Sequence, residues 1–144
     1  MEPSYRKPLP VPDHDSQPFW DGCREHELRI QRCMACGRFR WPPRAYCPSC
    51  CSPDHEWARL SGHGTIYSFS VVHHAVVPAF KDEVPYVVAL ISLEGAGERV
   101  QLLSNVIGCP WEDVQVGMLV QVLFEDVTPA VTLPKFRPAE PEHR

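Results

Sequence analysis

Long apolar runs are missing from this sequence, and lysine is scarce. No stretch approaches the ~18 apolar residues that a membrane-crossing helix needs. The opening Met-Glu-Pro-Ser-Tyr-Arg-Lys-Pro also lacks the apolar core of a secretory leader. The expectation is therefore a cytoplasmic protein with no membrane partner. Lysine occurs three times against eleven arginines, and the net charge is −4. That balance gives no general attraction to nucleic acid, whose binding draws heavily on phosphate neutralisation. No Gly-rich phosphate loop and no nucleophile elbow appears, and no segment carries the period of a long amphipathic helix. With 144 residues there is room for one ordinary domain and a small appendage.

What the chain does have is sixteen prolines and seven cysteines. Four of the cysteines form two knuckles, Cys33-Met34-Ala35-Cys36 and Cys47-Pro48-Ser49-Cys50. Each knuckle can point two thiolates at one centre, and four thiolates at tetrahedral spacing make a closed structural Zn²⁺ site. Gly37 is suited to the positive φ of the first turn, and Pro48 stiffens the second. Two disulfides or plain buried thiols are the competing reading; a reducing compartment favours metal. Cys51 competes with Cys50 for the fourth position, but the two-residue spacing favours Cys50. Cys23 and Cys109 have no neighbouring base in sequence and read as small buried or idle thiols.

In chain order, the Pro-rich residues 1–15 read as an extended arm, disordered or laid along a partner. Ser16 as cap, Pro18 in the first turn, and Phe19, Trp20 and Cys23 at helical spacing predict a short helix over 17–26. Leu28–Arg32 alternates as a strand entering the first knuckle, Phe39–Trp41 leaves it, and Trp57–Leu60 reads as a linking strand. A helix and ribbon thus span 16–60. From Ser61 to Pro138 strands dominate: 65–73, 86–93, 99–106, 119–127 and 131–136, with a loop over 75–85 and one helical turn at 110–114. Pro134 argues for an edge at the last strand. Five strands with no long helix predict a small closed barrel of the OB type, or an open sandwich. Residues 139–144 form a polar tail.

Charge is uneven along the chain. Arg24, Arg29, Arg32, Arg38, Arg40 and Arg44 cluster in the ribbon, which reads either as a solvated face or as a local anion site. Catalysis needs a nucleophile, a base or an open metal position. Four cysteines saturate the metal, and His73 and His74, adjacent on a strand, point to opposite faces. A ribbon joined to an OB barrel is also a known single-strand nucleic-acid module, a reading that the acidic barrel and scarce lysine oppose.

The chain resembles the DUF35 family, zinc-ribbon OB-fold proteins associated with acyl-CoA metabolism. The resemblance is carried by Pro18-Phe19-Trp20-Asp21-Gly22, Leu28–Cys33, Cys36-Gly37, Trp41-Pro42-Pro43-Arg44 and Cys47-Pro48-Ser49-Cys50, then by Gly62–Phe69, Pro85–Ala89, Leu103–Val106, Phe124–Thr128 and Leu133–Pro138. It covers about residues 17–138 and leaves out the arm. It implies a mainly β chain with a short N-terminal helix, a rubredoxin-like ribbon and a five-stranded OB barrel. It further implies a non-catalytic subunit beside a thiolase-fold or lipid-transfer-protein-like enzyme: a thiolase, an acyltransferase or a retro-aldolase acting on steroid side-chain CoA thioesters. A MaoC-like enoyl-CoA hydratase is the alternative partner, and a free-standing acyl-CoA carrier a third possibility. An acyl-CoA ligand would take its phosphates to arginines and its pantetheine to an apolar groove. Arg40 and Arg44, flanking Pro42-Pro43, are the first candidates for contact with acyl-CoA or partner, and Lys135 and Arg137 the second. Phe19 and Trp20, on a helix with little core of its own, are candidates for the partner interface.

Overall fold

The structure is a computed structural model that describes residues 5–140. One helix, α1 (Gln17–Arg24), and eight strands make up the fold: β1 (Leu28–Cys33), β2 (Phe39–Arg40), β3 (His55–Leu60), β4 (His63–Val72), β5 (Tyr86–Leu93), β6 (Gln101–Val106), β7 (Leu119–Asp126) and β8 (Thr132–Pro138). The first three strands form a sheet in the order β2-β1-β3, and the last five close a barrel in the order β4-β5-β6-β8-β7. The expected mainly β architecture of ribbon plus OB barrel is what the chain adopts.

The barrel closes because β4 is long and coiled. From Gly64 to Val72 it pairs with β5, while its first residues His63–Thr65 pair with Gln121–Leu119 of β7. A bulge at Tyr67 adds the bend that closure needs. Three residues before the bulge, a Cβ on Gly64 would stand 2.7 Å from the Ser92 carbonyl oxygen, so only glycine lets β4 and β5 approach so closely there. Between β6 and β8 the contact is slight: one parallel pair, Val106 with Phe136, a bond from the Ile107 N–H to the Phe136 carbonyl at 2.8 Å, and the Ser104 hydroxyl on the Pro134 carbonyl at 2.7 Å. Ile66, Ile91, Val120 and Phe136, each at most 1% exposed, fill the interior.

Four expectations change. The helix stops at Arg24 because His26 takes φ 59° and turns the chain back into β1. Ser16 makes no side-chain cap; its hydroxyl accepts the Asp13 N–H while Asp13 Oδ1 accepts the Ser16 N–H, a closed turn before the helix. The last strand is not an edge, since β8 lies between β6 and β7. The linking strand read at Trp57–Leu60 starts earlier, at His55, and is an integral ribbon strand: β3 pairs with β1 from Leu28–Leu60 to Cys33–His55.

Helix α1 joins the two halves. It packs on β1 and on β8, and Gly22 permits the first contact, with a Cβ there falling 3.0 Å from the Glu27 carbonyl oxygen. Phe19 is 1% exposed and packs edge-on against Trp20 and at a tilt against Trp41, at ring-centroid distances of 5.0 and 4.6 Å. This corrects its assignment to a partner interface. A short helix without a core of its own finds one in the crevice between ribbon and barrel, so Phe19 is spent internally. The arm expected to be disordered or laid on a partner runs along the chain's own barrel from Tyr5. Its Lys7 is ion-paired with Glu83.

Candidate functional site

The two knuckles fold alike. The residue after each pair donates its N–H to the carbonyl of the first cysteine: Gly37 to Cys33 at 2.9 Å and Cys51 to Cys47 at 2.8 Å. Both of these residues have positive φ, 78° and 63°. Cys51 thus occupies the turn position that glycine holds in the first knuckle, and it stands outside the sulfur cluster formed by Cys33, Cys36, Cys47 and Cys50. The four sulfurs of that cluster lie within 4.8 Å of one another, with Cys33–Cys50 at 3.5 Å and Cys36–Cys47 at 3.6 Å. A tetrahedral Zn²⁺ with bonds of about 2.3 Å separates its sulfurs by about 3.8 Å, so the donor set has the right size.

The electrostatics of the cluster also fit a cation. The backbone N–H of Cys36 lowers the Cys33 thiol, and those of Cys50 and Ser49 bring Cys47 down to about 6. At Cys50 the Ser52 N–H works in the same direction, but the sulfurs of Cys33, Cys47 and Cys36, together with burial, push it up to about 12. Four sulfurs this close cannot all ionise on their own; a dication among them removes the conflict.

Gln31 holds the second knuckle's approach. It is 1% exposed, and its Oε1 accepts both the Arg40 Nε–H at 2.8 Å and the Arg44 N–H at 2.9 Å. The simple alternation of β1 predicts Gln31 outward; instead Ile30 and Gln31 are both buried, Gln31 under the loop that carries Arg44, while Arg32 stays exposed. Arg40 is 5% exposed, with Nη2 on the Arg44 carbonyl at 2.9 Å and Nη1 buried without a partner. It is an internal staple and does not present its guanidinium at the surface, which corrects its place among ligand contacts. Arg44 is exposed. Most of the remaining ribbon arginines are committed too: Arg29 to Glu25 and Glu27, Arg59 to Glu27, Arg32 to Glu56 and the Phe39 ring, Arg38 to Ser49. Pairing, more than a free anion site, accounts for the cluster.

On the barrel, Lys135 pairs with Glu125 at 3.4 Å and stands between two hollows that share Asn105, Leu133 and Lys135. One, of about 520 Å³, lies beneath the arm. The other, of about 310 Å³, is walled by Trp20, Trp41 and Leu103, the last of these 63% exposed. Trp20 is therefore half-buried at a groove, unlike its neighbour Phe19. Arg137 is half-buried beside Gly108, with its Nε unpartnered. His73 packs edge-on against Trp111 at 5.0 Å. A clasp absent from the sequence reading joins the halves: His26 Nε2 lies 3.0 Å from Asp126 Oδ1, which also accepts the Thr132 hydroxyl at 2.6 Å, and the imidazole stacks on Phe124. No helix among the described residues is long and apolar enough to cross a membrane.

Comparison with known proteins places both halves. Residues 20–56 match the family model described as the ChsH2 rubredoxin-like zinc ribbon domain, and residues 57–125 the ChsH2 C-terminal OB-fold domain. The chain is 38% identical over 142 residues to a probable enoyl-CoA hydratase alpha subunit of Thermomonospora curvata, covering 99% of this chain but 43% of that protein. It is 39% identical over 98 residues to a DUF35 domain-containing scaffold protein of Methanocaldococcus jannaschii, covering 67% of this chain and 66% of the relative. This chain thus spans less than half of the first relative and about two thirds of the second. Among solved structures, the DUF35 chain of an Ltp2-ChsH2(DUF35) aldolase superposes with a TM-score of 0.81 at 37% identity, over 90% of this chain and 98% of that one. The chain belongs to the DUF35 family, as a zinc-ribbon and OB-fold protein of the ChsH2 type.

Proposed function

We propose that this chain is a non-catalytic accessory subunit that binds a thiolase-fold or aldolase enzyme acting on acyl-CoA and helps to form or shield its acyl-CoA site. The likeness to the DUF35 chain of the aldolase, over 98% of that chain, carries this reading. Cys33, Cys36, Cys47 and Cys50 would hold one structural Zn²⁺. With all four positions taken by thiolates, the ion supplies rigidity to the ribbon and no site for an activated water. Arg44, Lys135 and Arg137 remain contact candidates for ligand or partner, and Trp20 for the partner. The ribbon's committed arginines and the acidic barrel support this reading over single-strand nucleic-acid binding.

A MaoC-like enoyl-CoA hydratase as partner is the second reading, favoured by the alignment of nearly the whole chain with part of a hydratase alpha subunit. The test is affinity purification of the chain from its native host, identification of the co-eluting enzyme, and assay of that enzyme with and without the chain. Activity that depends on the chain is expected. An enzyme that works equally well alone, or turnover by the isolated chain, refutes the accessory role.

A further inference from the structure

The cavity of about 520 Å³ under the N-terminal arm has an apolar floor of Val87, Val106, Ile107 and Leu133. Tyr5, Lys7 and Pro8 of the arm wall its other side, so the arm closes one flank of a hollow that the barrel and its loops otherwise form. The arm is fastened there: Lys7 is ion-paired with Glu83, and its ammonium lies 5.6 Å from the Tyr5 ring centroid and 5.7 Å from that of Phe80. Farther along, Pro10 and Pro12 border a second contact with Trp20 and Thr132. Prolines limit the freedom that the arm loses on docking.

Charge and size define what fits. The charged residues of the lining are Lys7, Glu83, Glu125 and Lys135, and they form two salt bridges with each other. No net charge is left to draw a phosphate inward, and a phosphate would have to break a pair. Trp111 and Tyr86 bring an indole N–H and a hydroxyl to the lining, groups that can donate to carbonyl oxygen. The volume is within the usual range for small-molecule sites, roughly 300–1,000 Å³, and an acetyl group would leave most of it empty.

Resting on the accessory-subunit reading, we infer that residues 5–8 form a strap, latched by Lys7 and Glu83, that closes a barrel site for the bulky, uncharged acyl end of a thioester. The phosphate-bearing end stays outside. The test uses isothermal titration calorimetry on the zinc-loaded full chain with decanoyl-N-acetylcysteamine, acetyl-N-acetylcysteamine and CoA. The decanoyl ester is expected to bind at least about tenfold more tightly than the other two. Lys7→Glu should weaken it by about tenfold or more, and Lys7→Glu with Glu83→Lys should bring it back to within about threefold of the original. Circular dichroism confirms that each variant is folded. Failure of the folded wild-type chain to bind the decanoyl ester, equal binding of CoA, or indifference to Lys7→Glu overturns the inference. An enzyme that depends on the chain while the chain ignores the decanoyl ester sinks the strapped site alone. Decanoyl binding with no dependent enzyme sinks the accessory role alone.

Discussion

Replacing Gln31 with leucine tests the polar anchor of the ribbon. The side chain keeps about the same size and loses the oxygen that accepts from Arg40 Nε and from the Arg44 N–H. Arg40 is 5% exposed and already has one buried nitrogen without a partner, so its Nε has nowhere else to turn. Loss of the charge-assisted bond costs about 1.5–3 kcal/mol and loss of the partly buried amide bond about 1 kcal/mol. The extra apolar burial of leucine returns about 1 kcal/mol, leaving a net destabilisation of about 1.5–3 kcal/mol. Urea unfolding at a fixed excess of free zinc measures this, since the midpoint shifts while the slope stays constant. Gln31→Leu combined with Arg40→Met removes acceptor and buried charge together and should recover at least about half of the loss, because deleting both partners of a buried pair is far less costly than deleting one. A single substitution costing under about 0.5 kcal/mol, or a double variant equal to the sum of the singles, refutes the argument.

Cys36→Ser should drop zinc content well below one ion per chain and unfold the ribbon, as read by metal analysis and hydrogen exchange; full zinc occupancy would contradict the ligand assignment. Cys51→Gly should keep the metal and raise stability by about 1 kcal/mol, because a non-glycine residue at φ 63° is strained; loss of zinc would make Cys51 a ligand. Phe19→Ala should destabilise the chain by about 3–5 kcal/mol in denaturant, as a core truncation does, where a partner-facing residue would leave the free chain unaffected. The Thr132 hydroxyl and then His26 hold the Asp126 carboxyl below its ordinary value of 3.8. The clasp therefore stabilises above that value and is lost as pH falls through the lowered one. Asp126→Asn should flatten the acid side of the Tm profile; an unchanged slope would rule the clasp out.

The cysteine spacing and the alternation of the later strands were enough to lay out the ribbon and the barrel, because both signals are local. What escaped the sequence depends on distant partners. Phe19 looks like an exposed aromatic until β8 covers it, and Gln31 and Arg40 look like surface residues until the knuckle loop folds over them. The His26–Asp126 contact spans 100 positions, and neither residue carries a local mark of it. The competition between Cys50 and Cys51 was legible only in part, since the positive φ that removes Cys51 is a property of the folded turn. The fate of the arm was closed to sequence reasoning, because an extended Pro-rich segment has no periodicity to say which surface it will meet.

With its single parallel pair, the seam between β6 and β8 has the fewest strand pairs in the barrel; the next thinnest, between β4 and β7, has three. Val106 and Ile107 on one lip and Leu133 and Lys135 on the other also belong to the hollow under the arm. A cylinder parts most readily where its strands share the fewest bonds, which here is the base of that hollow. In the strapped site proposed above, a small parting of these two strands would admit acyl groups of different girth, while the metal-bearing half keeps its shape.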